Sequence, residues 1–89
     1  MKVHIIKIRE DFADAVLYGE KTFEVRENDR GYQKGDIVQF SVTDRGGFFH
    51  EYGHTLNGKR YRITYVLNGW GIKDGYVVFS IKPEEEQKP

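Results

Sequence analysis

The chain has 89 residues, 38% of them hydrophobic and 31% charged, with fourteen basic residues balanced by fourteen acidic ones and no cysteine. That length is one domain, and a domain of this size buries only roughly 60% of its unfolded surface, so the core is modest. The charge balance excludes the strong basic excess of a protein that neutralises many phosphates along a nucleic acid, and the lack of cysteine excludes disulfides, thiolate catalysis and zinc-thiolate sites.

No apolar run approaches the ~18 residues of a bilayer span, and the opening Met1-Lys2-Val3-His4-Ile5-Ile6-Lys7 is broken by polar residues where a signal peptide is continuously apolar. A cytoplasmic protein without a membrane partner is expected. In chain order, Val3 to Arg9 alternates with His4, Ile6 and Ile8 on one face and Val3, Ile5 and Lys7 on the other, which reads as a central strand. From Glu10 the spacing turns helical: Phe12, Ala15, Val16 and Gly19 share a stripe, Asp11 is the expected N-cap with Asp14 three residues on, and Gly19 closes about two turns.

Lys21 to Glu27 alternates again, with Phe23 and Val25 facing one way and Thr22, Glu24 and Arg26 the other, a strand with a charged face. Turn chemistry at Asn28-Asp29-Arg30-Gly31 and Lys34-Gly35-Asp36 precedes a strand from Ile37 to Thr43 that aligns Val38, Phe40 and Val42. Lys59 to Leu67 aligns Tyr61, Ile63, Tyr65 and Leu67. The loop Asn68-Gly69-Trp70-Gly71 to Asp74-Gly75 leads to a last strand, Tyr76 to Ile81, that aligns Val77, Phe79 and Ile81. Residues 1–83 form the domain, and 84–89 read as a charged, disordered tail. Five short strands and one early helix make an α+β domain, a small curved sheet or partly closed barrel with the helix over one opening and a cleft where helix, strand ends and loops converge.

Gly19-Glu20-Lys21-Thr22-Phe23-Glu24-Val25-Arg26 fits the pattern G-x-K-x-x-E-x-R, and here the chain resembles the ASCH family, a branch of the PUA-like superfamily. The run Glu24 to Tyr32, the Gly35-Asp36 turn and the closing Asp74-Gly75-Tyr76-Val77-Val78 extend the likeness to an uncharacterised ASCH-like family of bacteria and their phages. It covers nearly the whole chain except the insertion-like stretch from Arg45 to Asn57 and the tail. The resemblance implies a PUA-like five-stranded pseudobarrel with one helix after the first strand, and an RNA-related function.

Read physically, Lys21 follows the C-terminal glycine of the helix, where the dipole favours a cation, and Glu24 and Arg26 share one strand face. A guanidinium is a planar fork for phosphate or a base edge, an ammonium a movable point charge, and a carboxylate an acceptor for exocyclic amino groups. The competing reading is a salt-bridge network on a solvated strand. Asp29, Arg30 and Tyr32 either line the same cleft, with Tyr32 as a stacking ring, or are turn residues and a barrel cap. Trp70, freed by flanking glycines, is a stacking candidate or a lid over the barrel end. His4 is either a cleft residue or a satisfied core histidine.

Some ASCH proteins are small amidohydrolases acting on acylated cytidine, which the resemblance assigns to a lysine, a threonine three residues on and a distant glutamate. Lys21 matches, but Glu24 stands in the threonine position, and Thr22, adjacent to Lys21, points to the strand face opposite it, so Lys21 and Glu24 remain the catalytic candidates, with Glu24 as a general base for water. His50-Glu51-Tyr52-Gly53-His54 spells H-E-x-x-H, yet its glycines make it loop or hairpin, in which the two imidazoles stand roughly 13 Å apart at about 3.3 Å per residue. No metal and no cofactor is expected. Three functions follow: a module holding a nucleotide or short single-stranded RNA at Lys21, Glu24, Arg26, Asp29, Arg30, Tyr32 and Trp70, with a shallow salt dependence; a hydrolase of a modified nucleoside; or a phage or host accessory module that docks another protein through its aromatic loop.

Overall fold

The structure, a computed structural model of the chain, describes residues 1–46 and 53–84. Its elements are β1 (Val3–Arg9), α1 (Glu10–Leu17), β2 (Phe23–Glu27), β3 (Ile37–Thr43), β4 (Arg60–Leu67) and β5 (Tyr76–Pro83). One five-stranded sheet runs in the order β1-β3-β4-β5-β2, with β1 parallel to β3 and every other pair antiparallel. The fold is thus a small α+β domain, a sheet curled into a half-barrel with its helix directly after the first strand. No helix among the described residues is long and apolar enough to cross a membrane.

Alternation explains the inner layer. His4, Ile6 and Ile8 of β1 turn inward onto Val38, Phe40 and Val42 of β3 and Val77, Phe79 and Ile81 of β5, and each of these side chains is buried. Burying one such side chain is worth about 1.5–3 kcal/mol, and a core of this size consists of little more than this layer. Helix α1 closes one end with Ala13 and Val16, both in the core cluster. Leu56, fully buried in the same cluster, plugs that core from the stretch read as an insertion.

Four expectations are corrected. β1 is an edge strand, because β3 is its one ladder partner and the crossover through α1 and β2 inserts nothing on its other side. The helix begins one residue before its expected cap: Arg9 occupies the cap position with no side-chain bond that caps the helix backbone, and Asp11 sits in the first turn, where its carboxylate suits the dipole and accepts from Arg9 Nη2 at 2.7 Å. The buried stripe is Ala13 and Val16, leaving Phe12 44% exposed. In β4 the register shifts between Ile63 and Tyr65, so Thr64 is an extra residue whose hydroxyl meets that of Ser80 at 2.7 Å. The parity flips after it, and Tyr65 emerges 61% exposed while Val66 packs on the core.

Gly19 ends the helix as expected. Its φ of +76° is the left-handed conformation, the Gly19 N–H donates to Val16 O and the Glu20 N–H to Ala15 O, the paired bonds of a Schellman cap. The last strand runs two residues beyond the expected Ile81, and the Glu84 N–H still donates to Arg60 O at 3.0 Å. Residues 85–89 lie outside the described residues.

Candidate functional site

The two free edges of the sheet, β1 and β2, face each other across an open seam. In the parallel β1·β3 ladder only alternate residues of β1 bond to β3. Ile37 N–H donates to Lys2 O, which fixes the even-numbered residues as the paired set and turns the carbonyls of Ile5 and Lys7 toward the seam. Side chains answer them: Arg26 Nη2 donates to Lys7 O at 2.6 Å, and Arg30 Nη1 donates to Ile5 O at 2.9 Å. The barrel is closed here by two arginines in place of a strand ladder.

Strand β2 carries its charged face inward. Glu24 is 3% exposed, while Phe23 and Val25 stand outside at 44% and 55%. The inversion is stable because the buried carboxylate is satisfied twice: Oε1 accepts from Arg26 Nη2 at 2.7 Å and Oε2 accepts from Lys21 Nζ. Lys21 Nζ also donates to Phe23 O at 2.8 Å and lies 5.7 Å from the Phe12 ring and 5.1 Å from the Phe23 ring. The predicted trio of Lys21, Glu24 and Arg26 is therefore one connected cluster, held by a buried anion and not laid out on a solvated face.

Arg26 and Lys7 line both of two hollows along the seam, so their bond forms a strut between them. The lower hollow, about 690 Å³, is walled by Phe12, Phe23, Ile8 and Val25 with the Lys21–Glu24–Arg26 cluster at its base. The upper one, about 500 Å³, is lined by Ile5, Asp29, Arg30, Tyr32 and Ser41. Asp29 and Arg30 thus line one hollow with Arg26, the arrangement of the cleft alternative. Phe12 and Phe23 line the lower hollow and were not among the candidates, because apolar side chains were assigned to packing. The signal was their position on either side of Lys21 in sequence.

Tyr32 borders the upper hollow as a packed core ring, the capping alternative of the sequence reading and not the stacking one. It is 5% exposed, with its ring tilted against His4 and Phe79 at centroid distances of 4.8 Å each, so core neighbours occupy the faces a base would stack on. Burial pushes its hydroxyl above the usual phenol range, opposed by the Arg26 and Arg30 guanidiniums. His4 is a satisfied core histidine: Nε2 meets Asp36 Oδ2 at 2.9 Å, and both residues are buried. Burial alone raises the Asp36 carboxyl, but the bonds from His4, Lys2 N–H and Gln33 N–H outweigh it and leave it below the usual carboxylate range.

Trp70 lines neither hollow. It stands 92% exposed with φ +53°, between Gly69 and Gly71, which are also left-handed. Of the H-E-x-x-H segment, His50, Glu51 and Tyr52 lie outside the described residues. His54 ties its loop to the helix: Nδ1 accepts from Leu56 N–H at 3.0 Å, which leaves Nε2 to donate to Asp14 Oδ1 at 2.7 Å. No group of three or more metal-binding side chains occurs among the described residues.

Residues 3–81 match the model of a family described as Domain of unknown function (DUF3850). No curated protein matches the chain. Among solved structures, the crystal structure of the hypothetical protein PH0355 is similar in fold, with a TM-score of 0.59 over 94% of this chain and 100% of that one at 18% identity.

Proposed function

We propose that this chain, which belongs to the DUF3850 family, is an ASCH-like, PUA-like module that holds a nucleotide or a short single-stranded RNA segment in the β1–β2 seam. The observation that carries the reading is the buried Glu24 carboxylate gripped by Lys21 and Arg26 at the base of a hollow flanked by two half-exposed phenylalanine rings. Rings on either side of a fixed donor and acceptor set suit a planar, amino-bearing base, and the zero net charge suits a ligand with few phosphates. The G-x-K-x-x-E-x-R likeness supports the same assignment.

Each Glu24 oxygen accepts one bond from Lys21 or Arg26 and keeps a lone pair for a ligand's amino group, while the threonine nucleophile of the hydrolase likeness is replaced by Glu24 itself. Binding without turnover is the better supported activity. Titration of nucleosides, modified nucleosides and short single-stranded RNAs tests it, followed by calorimetry or amide chemical shifts. Lys21→Ala and Arg26→Ala should each weaken the best ligand by about 10-fold or more, the scale of one charge-assisted bond. Equal binding by wild type and both variants refutes the assignment, and turnover abolished by Lys21→Ala replaces binding with catalysis.

A further inference from the structure

The upper hollow has a character of its own. Its base is Tyr32, a core ring only 5% exposed, whose hydroxyl has no hydrogen-bond partner among the described residues and is not one of their fully buried polar atoms. Tyr32 lines the hollow together with Arg26, Arg30 and Asp29, so its accessible phenol end opens into it. Arg26 uses Nη2 for its two named bonds and Arg30 uses Nη1 for its one, which leaves the remaining guanidinium N–H groups of both side chains for other acceptors. Ser41 adds a hydroxyl from β3. Two carboxylates, Glu27 and Asp29, line the hollow as well, and three cationic side chains, Lys7, Arg26 and Arg30, stand against them. The hollow therefore presents several donors that face solvent and are open to the acceptor oxygens of a ligand.

We propose that this hollow is an anion seat for a phosphoryl group, gripped by the forks of Arg26 and Arg30 from the sides and by the Tyr32 hydroxyl from below. The inference rests on the nucleotide reading only for the source of the phosphate. A phosphate offers acceptor oxygens in several directions, which matches donors arriving from β1's neighbour β3, from β2 and from the turn after it. Because Arg26 is shared with the lower hollow, base and phosphate of one nucleotide would lie on either side of the strut.

The test uses inorganic phosphate first, then a nucleoside and its 5′-monophosphate, on wild type, Arg30→Gln and Tyr32→Phe. Gln keeps a donor for Ile5 O and Phe keeps the ring packing, and dispersed amide spectra verify that both variants fold. Phosphate should shift the amides of residues 5–7 and 26–32, with chloride at equal ionic strength inert. Arg30→Gln should weaken it by about 10-fold and Tyr32→Phe by about 3-fold or more. Phosphate binding that is absent, or equal in all three proteins, overturns the seat. Nucleoside binding with no gain from the 5′-phosphate also overturns it while the proposed function survives. Inorganic phosphate bound in the seat with no nucleoside or nucleotide binding sinks the proposed function and upholds the seat.

Discussion

Replacing Glu24 by Gln keeps the shape of the side chain and removes its charge. The carboxylate is 4% exposed and accepts one charge-assisted bond from Lys21 and one from Arg26, whose side chains are 18% and 26% exposed. Bonds to charged groups contribute about 1.5–3 kcal/mol each, and stripping the partner from a buried ion costs about 3–5 kcal/mol. Two effects reduce the loss: the Gln carbonyl still accepts one bond, and the two cations are open enough to regain water. The expected net cost is about 2–3 kcal/mol. A domain of this length has on the order of 4–13 kcal/mol in total, and with m near roughly 1 kcal/mol/M the urea midpoint should fall by about 2–3 M at unchanged m. Glu24→Gln paired with Lys21→Gln in a double-mutant cycle should show clear coupling. A midpoint shift below about 0.5 M refutes the view that a buried anion organises the seam.

Trp70→Gly should stabilise the protein, since a left-handed Trp costs about 1–2 kcal/mol and almost none of its ring is packed. After the entropy cost of glycine the gain is about 0.5–1 kcal/mol, a rise in Tm of roughly 4 °C by calorimetry, and a lowered Tm would mean that the indole packs. Leu56→Ala should cost about 2–5 kcal/mol in urea unfolding, whereas a loss under about 1 kcal/mol would detach Leu56 from the core. Asp36 is lowered in the folded state, so between its folded value and the unfolded value near ~3.9 the unfolded chain binds more protons and stability rises with pH. Its contribution is complete above about pH 4 and lost as pH falls through the folded value. Tm measured from pH 5 to pH 2 should therefore drop more steeply in wild type than in Asp36→Asn, and parallel curves would contradict this.

What the sequence made legible follows from what local pattern encodes. Period-two alternation placed the inward faces of β1, β3 and β5 correctly, and Gly19 marked the helix end, because each depends on neighbours a few residues apart. The edge position of β1 depends on chain order across the sheet, which alternation does not contain. Tyr65 was misplaced because a single extra residue, Thr64, inverts the pattern without changing composition. Phe12 fits a helical stripe, but its ring stands at the mouth of the seam with the Arg9 guanidinium 4.8 Å from its centroid. The charged candidates Glu24, Arg26, Asp29 and Arg30 come together along the seam because they are adjacent along β2 and its following turn. Trp70 was grouped with them on its ring and its flanking glycines, and its loop lies on a different connection, between β4 and β5.

The arginines at the seam have a bearing on how the protein behaves at high concentration. A strand edge with free carbonyls invites pairing with another molecule, and this sheet has two such edges. Curling them toward each other, and stoppering Ile5 O and Lys7 O with Arg30 and Arg26, withdraws that invitation. Colloidal behaviour and ligand grip would then depend on the same two side chains. The doubly substituted Arg26→Ala, Arg30→Ala protein should show light scattering that grows with concentration where wild type stays flat, and equal scattering from both would mean that the edges are guarded by curvature alone.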